Sequence, residues 1–348
     1  MNKTRVLIVD DSIFFRKFLS DRLSEYPNIE IAGQAINALD AKSAIPRLKP
    51  DVVTLDIEMP GMSGIELLTY LMSTTPVPVL IVSAANMSVF DALSAGAVDC
   101  VKKPDVNSPE SGAKFIKELA SKIEVARRAH LRKTLPTAAP PVPALSSMRV
   151  SLSGLLASKQ VVIAIGASTG GTEATLVVLK ELPKNTPGTV IVQHMPPGFT
   201  KMYADRLNSI CQMEVREAKD GDRVEQGVAL IAPGDRQMQL VRAGAQYTVK
   251  CAPGEKVSGH CPSVDVLFHS VAQAAGKDAV GIIMTGMGKD GADGLLAMRK
   301  AGAYTIGQDE ESCIVYGMPM VAYNIGAVMK QTSCENISNV LKSHLNQL

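Results

Sequence analysis

Val6-Leu-Ile-Val-Asp10-Asp11 decides how the first third of the chain is read: four consecutive aliphatic residues end abruptly on two acids. So short an apolar run, bounded by polar residues, suits a strand buried on both faces, and its length argues against a core helix. Outward from it, similar runs recur at residues 29–32, 52–55, 79–82 and 98–101, each separated from the next by a helical pattern. The expected fold is a five-strand βα series, a parallel sheet covered by helices.

From His130 the text changes, with Pro136, Pro140, Pro141 and Pro143 set among Ala, Ser, Thr and basic residues. This reads as a linker, partly extended and partly flexible. A second alternating series then begins at residues 161–165 and continues at 190–192, 229–231 and 280–284, with a helical stretch over 172–182. Turn signals at Pro233-Gly234 and Ala243-Gly244-Ala245 bracket residues 238–241, which predicts a β-hairpin completed by residues 247–250. The expected organisation is α/β throughout: a first domain over 1–125, a linker over 126–157, and a doubly wound second domain with a hairpin over 158–348.

A chain of 348 residues fits two domains. Apolar residues make up 46% and charged residues 20%, which excludes a disordered, collagenous or coiled-coil chain. The net charge is +2, and residues 151–348 carry 18 basic and 18 acidic side chains, so nucleic acid is not the expected partner. The six cysteines are scattered without C-x-x-C spacing, which gives neither a disulfide framework nor a zinc cluster. No apolar run has the length of a signal peptide core or a membrane span, so a cytoplasmic protein is expected.

Asp10 and Asp11 end the first predicted strand, Asp56 the third and Ser83 the fourth, while Lys103-Pro104 follows the fifth. In a parallel sheet these ends share one edge, where open α/β folds bind ligands. Three crowded carboxylates repel unless they share a cation, and an all-oxygen set suits Mg²⁺. A phosphoryl group arriving there needs an in-line nucleophile, a hydroxyl donor and a positive charge, which Asp56, Ser83 and Lys103 supply in turn. Singly, each has a plainer reading: Asp10-Asp11-Ser12 also suits a helix cap, and Lys103 a solvated surface. Over roughly residues 4–124 the chain resembles a response-regulator receiver domain, on Val6-Leu-Ile-Val-Asp-Asp11, Leu55-Asp-Ile-Glu-Met-Pro-Gly61 and Val101-Lys-Lys-Pro104. The resemblance implies Asp56 as phospho-acceptor, Asp10 and Asp11 as acids of the Mg²⁺ pocket, Ser83 and Lys103 as phosphoryl sensors, and a histidine kinase as donor. It departs from the common pattern at Cys100, where many receivers carry an aromatic switch residue.

Ile165-Gly-Ala-Ser-Thr-Gly-Gly171 joins a strand to a helix. Its small residues let a hydroxyl stand clear while backbone N–H groups face the same point, a loop that can hold a nucleophile or an anion. Ser168 or Thr169 would equally cap the helix. His194 follows the next strand and precedes Met195-Pro-Pro-Gly198, and of the five histidines it is the best-placed base. The strand at 280–284 runs into Thr285-Gly-Met-Gly-Lys-Asp-Gly-Ala-Asp-Gly294, which offers Asp290 or Asp293. Three strand-end loops thus deliver Ser, His and Asp to one sheet edge, the set that a hydroxyl nucleophile activated by an oriented imidazole requires. Their chain order, Ser, His, Asp rather than Ser, Asp or Glu, His, excludes an ordinary lipase-type hydrolase.

Ile165-Gly-Ala-Ser-Thr-Gly-Gly171, Val192-Gln-His-Met-Pro196, Pro262-Ser-Val-Asp265 and Met284-Thr-Gly-Met-Gly-Lys-Asp-Gly291 resemble the chemotaxis protein-glutamate methylesterase (CheB) family over about residues 158–346. The resemblance implies Ser168 as nucleophile, His194 as base and Asp290 as its orienting acid, with no cofactor for the esterase step. The expected substrates are γ-glutamyl methyl esters and some glutamine amides of methyl-accepting chemoreceptors. The N–H groups of Thr169 and Met287 are the candidate oxyanion donors. A receiver fused to a nucleotide-binding oxidoreductase is the alternative, although Gly166, Gly170 and Gly171 do not fit G-x-G-x-x-G.

Overall fold

The computed structural model describes residues 3–84, 87–104, 109–131 and 160–348. The chain divides into two compact units, Met1–Pro143 and Ala144–Leu348. Most of the expected linker, residues 132–157, lies outside the described residues.

In the first unit the elements alternate as β1 (Thr4–Val9), α1 (Ile13–Ser24), β2 (Ile29–Ala35), α2 (Ala38–Leu48), β3 (Val52–Leu55), α3 (Gly64–Thr74), β4 (Val79–Ser83), α4 (Ser88–Ser94), β5 (Asp99–Lys102) and α5 (Pro109–Ala126). The sheet order is β2-β1-β3-β4-β5, parallel throughout. The aliphatic runs of β1, β3 and β4 are buried along nearly their whole length, as covering helices on both faces require. After β1 the chain crosses to β2 on one side and later to β3 on the other, which opens a crevice at the ends of β1 and β3. Cys100 lies on β5 and is buried, and burial pushes its thiol up to about 12. It packs as a small core residue.

The second unit runs β6 (Val162–Ala167), α6 (Gly171–Leu179), β7 (Thr189–Gln193), α7 (Phe199–Ile210), β8 (Glu214–Glu217), β9 (Val228–Ile231), β10 (Gln237–Ala243), β11 (Gln246–Ala252), α8 (Val264–Ala274), β12 (Ala279–Ile283), α9 (Ala292–Lys300), β13 (Tyr304–Gln308), α10 (Met318–Asn324), β14 (Lys330–Thr332) and α11 (Cys334–Leu345). Its seven-stranded parallel sheet has the order β14-β13-β12-β6-β7-β9-β8. β6 is central, and the chain leaves it first toward β7 and later returns to β12 on its other side, a second switch point.

The predicted hairpin is present as antiparallel β10 and β11. Its buried side chains alternate, Met238 and Leu240 on one strand, Tyr247, Val249 and Cys251 on the other. They join Val264, Leu267, Phe268 and Val271 of α8 and Val162, Val190 and Leu230 of the sheet in one core. α8 is therefore clamped between hairpin and sheet, with Ser270 Oγ accepting from Leu240 N at 2.8 Å. Among the described residues no helix is long and apolar enough to cross a membrane.

Candidate functional site

In the first unit Asp10, Asp11 and Asp56 come together at the crevice, with an oxygen of each within 4.8 Å of the others. Ser12 does cap α1, accepting from Phe15 N, and Asp10 Oδ1 accepts from Ser12 N at 2.9 Å, so the capping role and the acidic cluster coexist. Lys103 Nζ stands 2.6 Å from Asp56 Oδ2 and 2.8 Å from Asp10 Oδ2, the latter an ion pair without hydrogen-bond alignment. Burial raises the pKa of Asp10 against the opposing pull of Lys103. Burial would lower Lys103, but the two carboxylates outweigh it and hold the ammonium above its ordinary value. Ser83 Oγ is buried and has no hydrogen-bond partner among the described residues. Three carboxylates facing one lysine leave an excess of negative charge on hard oxygen donors, and such a set fits a divalent cation such as Mg²⁺.

In the second unit the loops after β7, β6 and β12 lie side by side. His194 N donates to Ala167 O at 3.1 Å, and Ser168 N donates to Thr285 O at 3.0 Å, which places Ser168 between the His194 and Thr285 strand extensions. The Ser168 carbonyl accepts from Gly171 N at 2.7 Å and from Gln193 Nε2 at 2.8 Å, so the loop is fixed on three sides. His194 Nε2 meets Asp290 Oδ2 at 2.8 Å, and the two side chains are 7% and 1% exposed. His194 Nδ1 is buried without a partner among the described residues.

Asp290 is set by α8. Ser263 Oγ donates to its Oδ1 at 2.7 Å, Asp265 N to Oδ1 at 3.0 Å and Val264 N to Oδ2 at 2.8 Å. Ser263 is also the N-cap of that helix. The carboxylate thus sits on the positive end of α8, where unsatisfied N–H groups favour an anion. Burial would raise its pKa, but His194, the Ser263 hydroxyl and the Asp265 N–H outweigh burial and hold it well below the carboxylate range. Burial, with the charge of Asp290 beside it, raises Asp265 instead, and the Gly294 N–H opposes this. Two neighbouring acids are driven apart, which keeps Asp290 ionised.

Of the two aspartates left open by the loop, Asp293 is 76% exposed and pairs with His269 at 3.1 Å rather than with His194. Thr169 is buried and accepts from Thr285 Oγ1 at 3.0 Å, while Met287 is exposed on the loop after β12. Nothing in residue spacing marks the role of Ser263, Val264 and Asp265, or the place of His260, whose ring lies against that of His194. Ser263 ahead of an apolar helical run is a readable cap signal. That the cap also grips a remote carboxylate is not.

Both units resemble known proteins. Residues 6–109 match the response regulator receiver domain family and residues 163–341 match CheB methylesterase. A protein from Syntrophomonas wolfei named protein-glutamate methylesterase/protein-glutamine glutaminase 2 is 53% identical, covering 100% of this chain and 99% of its own. The chain belongs to the CheB methylesterase family. A protein-glutamate methylesterase/protein-glutamine glutaminase of Escherichia coli K12 is 46% identical over 97% of this chain and 96% of its own. The crystal structure of the Thermotoga maritima CheB methylesterase catalytic domain is 34% identical, with a TM-score of 0.52, covering 54% of this chain and 98% of that one. These relatives are methylesterases, and they give the oxidoreductase alternative no support.

Proposed function

We infer that the chain is a phosphorylation-regulated serine hydrolase that removes methyl groups from γ-glutamyl methyl esters of chemoreceptors and deamidates receptor glutamines. The observation that carries the reading is the buried His194–Asp290 pair, held at 2.8 Å beside the Ser168 loop with the second ring nitrogen of His194 unpartnered. With Nε2 committed to Asp290, Nδ1 is the nitrogen that takes the proton of Ser168 as its oxygen attacks the ester carbonyl. The same nitrogen returns the proton to the departing methanol. Water, deprotonated by His194, then releases the acyl group as glutamate and restores Ser168. Asp290 remains ionised throughout and offsets the imidazolium. The Ser168 N–H is spent on Thr285 O, so the N–H groups of Thr169 and Met287 are the oxyanion donors in this reading.

Asp56 is the phospho-acceptor, with Lys103 and the partnerless Ser83 hydroxyl to receive the phosphoryl oxygens. Asp10, Asp11 and Asp56 would hold Mg²⁺, whose charge, when bound, offsets that of the transferring phosphoryl group. The partners are a histidine kinase of the chemotaxis pathway and methyl-accepting chemoreceptors met from the cytoplasm, with neither nucleic acid nor membrane insertion. The test is methanol release from methylated receptor membranes, with and without acetyl phosphate and Mg²⁺. Release that rises with the phosphodonor is expected. No release under either condition would overturn the assignment.

A further inference from the structure

His260 has no role in that mechanism, yet its ring lies parallel to that of His194, with centroids 3.7 Å apart and planes 7° from parallel. A tight turn brings it there. Ser258 (φ 53°) and Gly259 (φ 87°) are both left-handed, and Val257 and His260 exchange backbone hydrogen bonds of 3.0 and 2.9 Å. Two successive left-handed residues make a type I′ connection, which fixes the direction of the chain leaving it. Gln237 on β10 ties the segment down: its Nε2 donates to His260 O at 3.3 Å, and its Oε1 accepts from Ser263 N at 2.8 Å. Ser263 and Asp265 then grip Asp290. One buttressed stretch, residues 260–265, carries both the ring that covers His194 and the donors that fix its acid.

A single hydrogen bond from Nε2 to Asp290 sets the position of the His194 ring edge but leaves the ring plane free to rock about it. A second aromatic ring at van der Waals distance removes that freedom. We propose that His260 is a positioning residue, whose stacked ring holds the His194 plane so that Nδ1 is presented to the Ser168 hydroxyl. The inference rests on the Ser168, His194 and Asp290 reading above.

The test uses the full-length protein and methylated receptor membranes. From the size of an aromatic pair, His260→Ala should lower kcat by about fivefold to tenfold. KM should stay within about twofold, because ring orientation matters to the reacting state more than to binding. His260→Phe keeps a stacking ring without the ring nitrogens and should recover most of kcat, whereas His260→Leu should behave like the Ala variant. A readout independent of turnover is the ring Hε1 resonance of His194, shifted upfield by the neighbouring ring in the wild type and His260→Phe and released in the other two. Full kcat in His260→Ala, or a His260→Phe variant as slow as His260→Ala, would overturn the proposal. Ser168→Ala run alongside separates the two readings: if it is as active as wild type the triad falls, and if it is inactive while His260→Ala is fully active only the positioning role falls.

Discussion

Gly286→Ala offers a clean perturbation of the nucleophile. Gly286 does not occupy the left-handed region, so alanine meets no backbone penalty there, and the whole cost comes from its added carbon. That Cβ would lie 2.7 Å from Ser168 Cβ and 3.1 Å from Ser168 N, and would also press on the Met318 sulfur. Two carbons rest at about 3.5–4.0 Å, so either Ser168 or the loop after β12 must retreat by about 1 Å. The methionine can turn aside, but Ser168 is pinned by Thr285 O at 3.0 Å, by Gly171 N at 2.7 Å and by Gln193 Nε2 at 2.8 Å. Misplacement of a reacting group by about 1 Å costs about a hundredfold in rate. Overpacking of this kind costs about 1–3 kcal/mol of stability. The expected result is therefore a folded protein, somewhat lowered in melting temperature, with initial methanol release from methylated receptor membranes down about a hundredfold. Gly244→Ala is the control: the hairpin tip has φ 64° and nothing within 4 Å of the new carbon, so it should lose a little stability and no activity. A Gly286→Ala protein within about threefold of wild type would refute the claim that Ser168 is held in reacting position by this close approach.

Ser168→Ala should abolish methanol release with an unchanged melting curve, and His194→Ala should cost a comparable factor, because the three groups act as a unit. Asp290→Asn should cost somewhat less in rate but more in stability, about 3–5 kcal/mol, since an amide cannot accept at both positions from Ser263, Val264, Asp265 and His194; denaturant unfolding measures this. Asp290 has a depressed folded-state pKa, so its contribution to stability is complete above about pH 4 and drains away as pH falls toward that lowered value. Unfolding at pH 5 and at pH 3 should therefore differ more for wild type than for Asp290→Asn, and equal differences would count against the ionised buried carboxylate. Asp56→Asn should take up no radiolabel from a phosphorylated kinase and should not respond to acetyl phosphate. Asp11→Ala should weaken Mg²⁺ binding, measured by titration calorimetry.

The sequence by itself determined the layer architecture, because strands buried on both faces must be continuous aliphatic runs, and those at residues 6–9, 52–55, 161–165 and 280–284 admit little else. It also placed Asp10, Asp11, Asp56, Ser83, Ser168, His194 and Asp290 at strand ends, since parallel strands force all such ends to one edge. Three strands escaped it. Glu214–Glu217 and Lys330–Thr332 are polar edge strands with one or no aliphatic side chain, and Tyr304–Gln308 has a single aliphatic residue, so their pairing comes from the sheet they join. Spacing alone left Asp290 and Asp293 as alternatives; the family resemblance pointed to Asp290, and the tertiary structure shows how differently the two are placed. The two lie three residues apart in one glycine-rich loop and look alike in sequence, but one is buried against the N-terminus of α8 and the other points to solvent. Only the tertiary structure decided the role of the stretch from His260 to Asp265. Its grip on Asp290 and its cover over His194 join residues 25 to 27 positions apart on the acid side with a strand end still more remote. Contacts made by folding a cap and a hairpin turn onto a sheet edge leave no period in the chain, because their partners are chosen by packing in space rather than by spacing along the sequence.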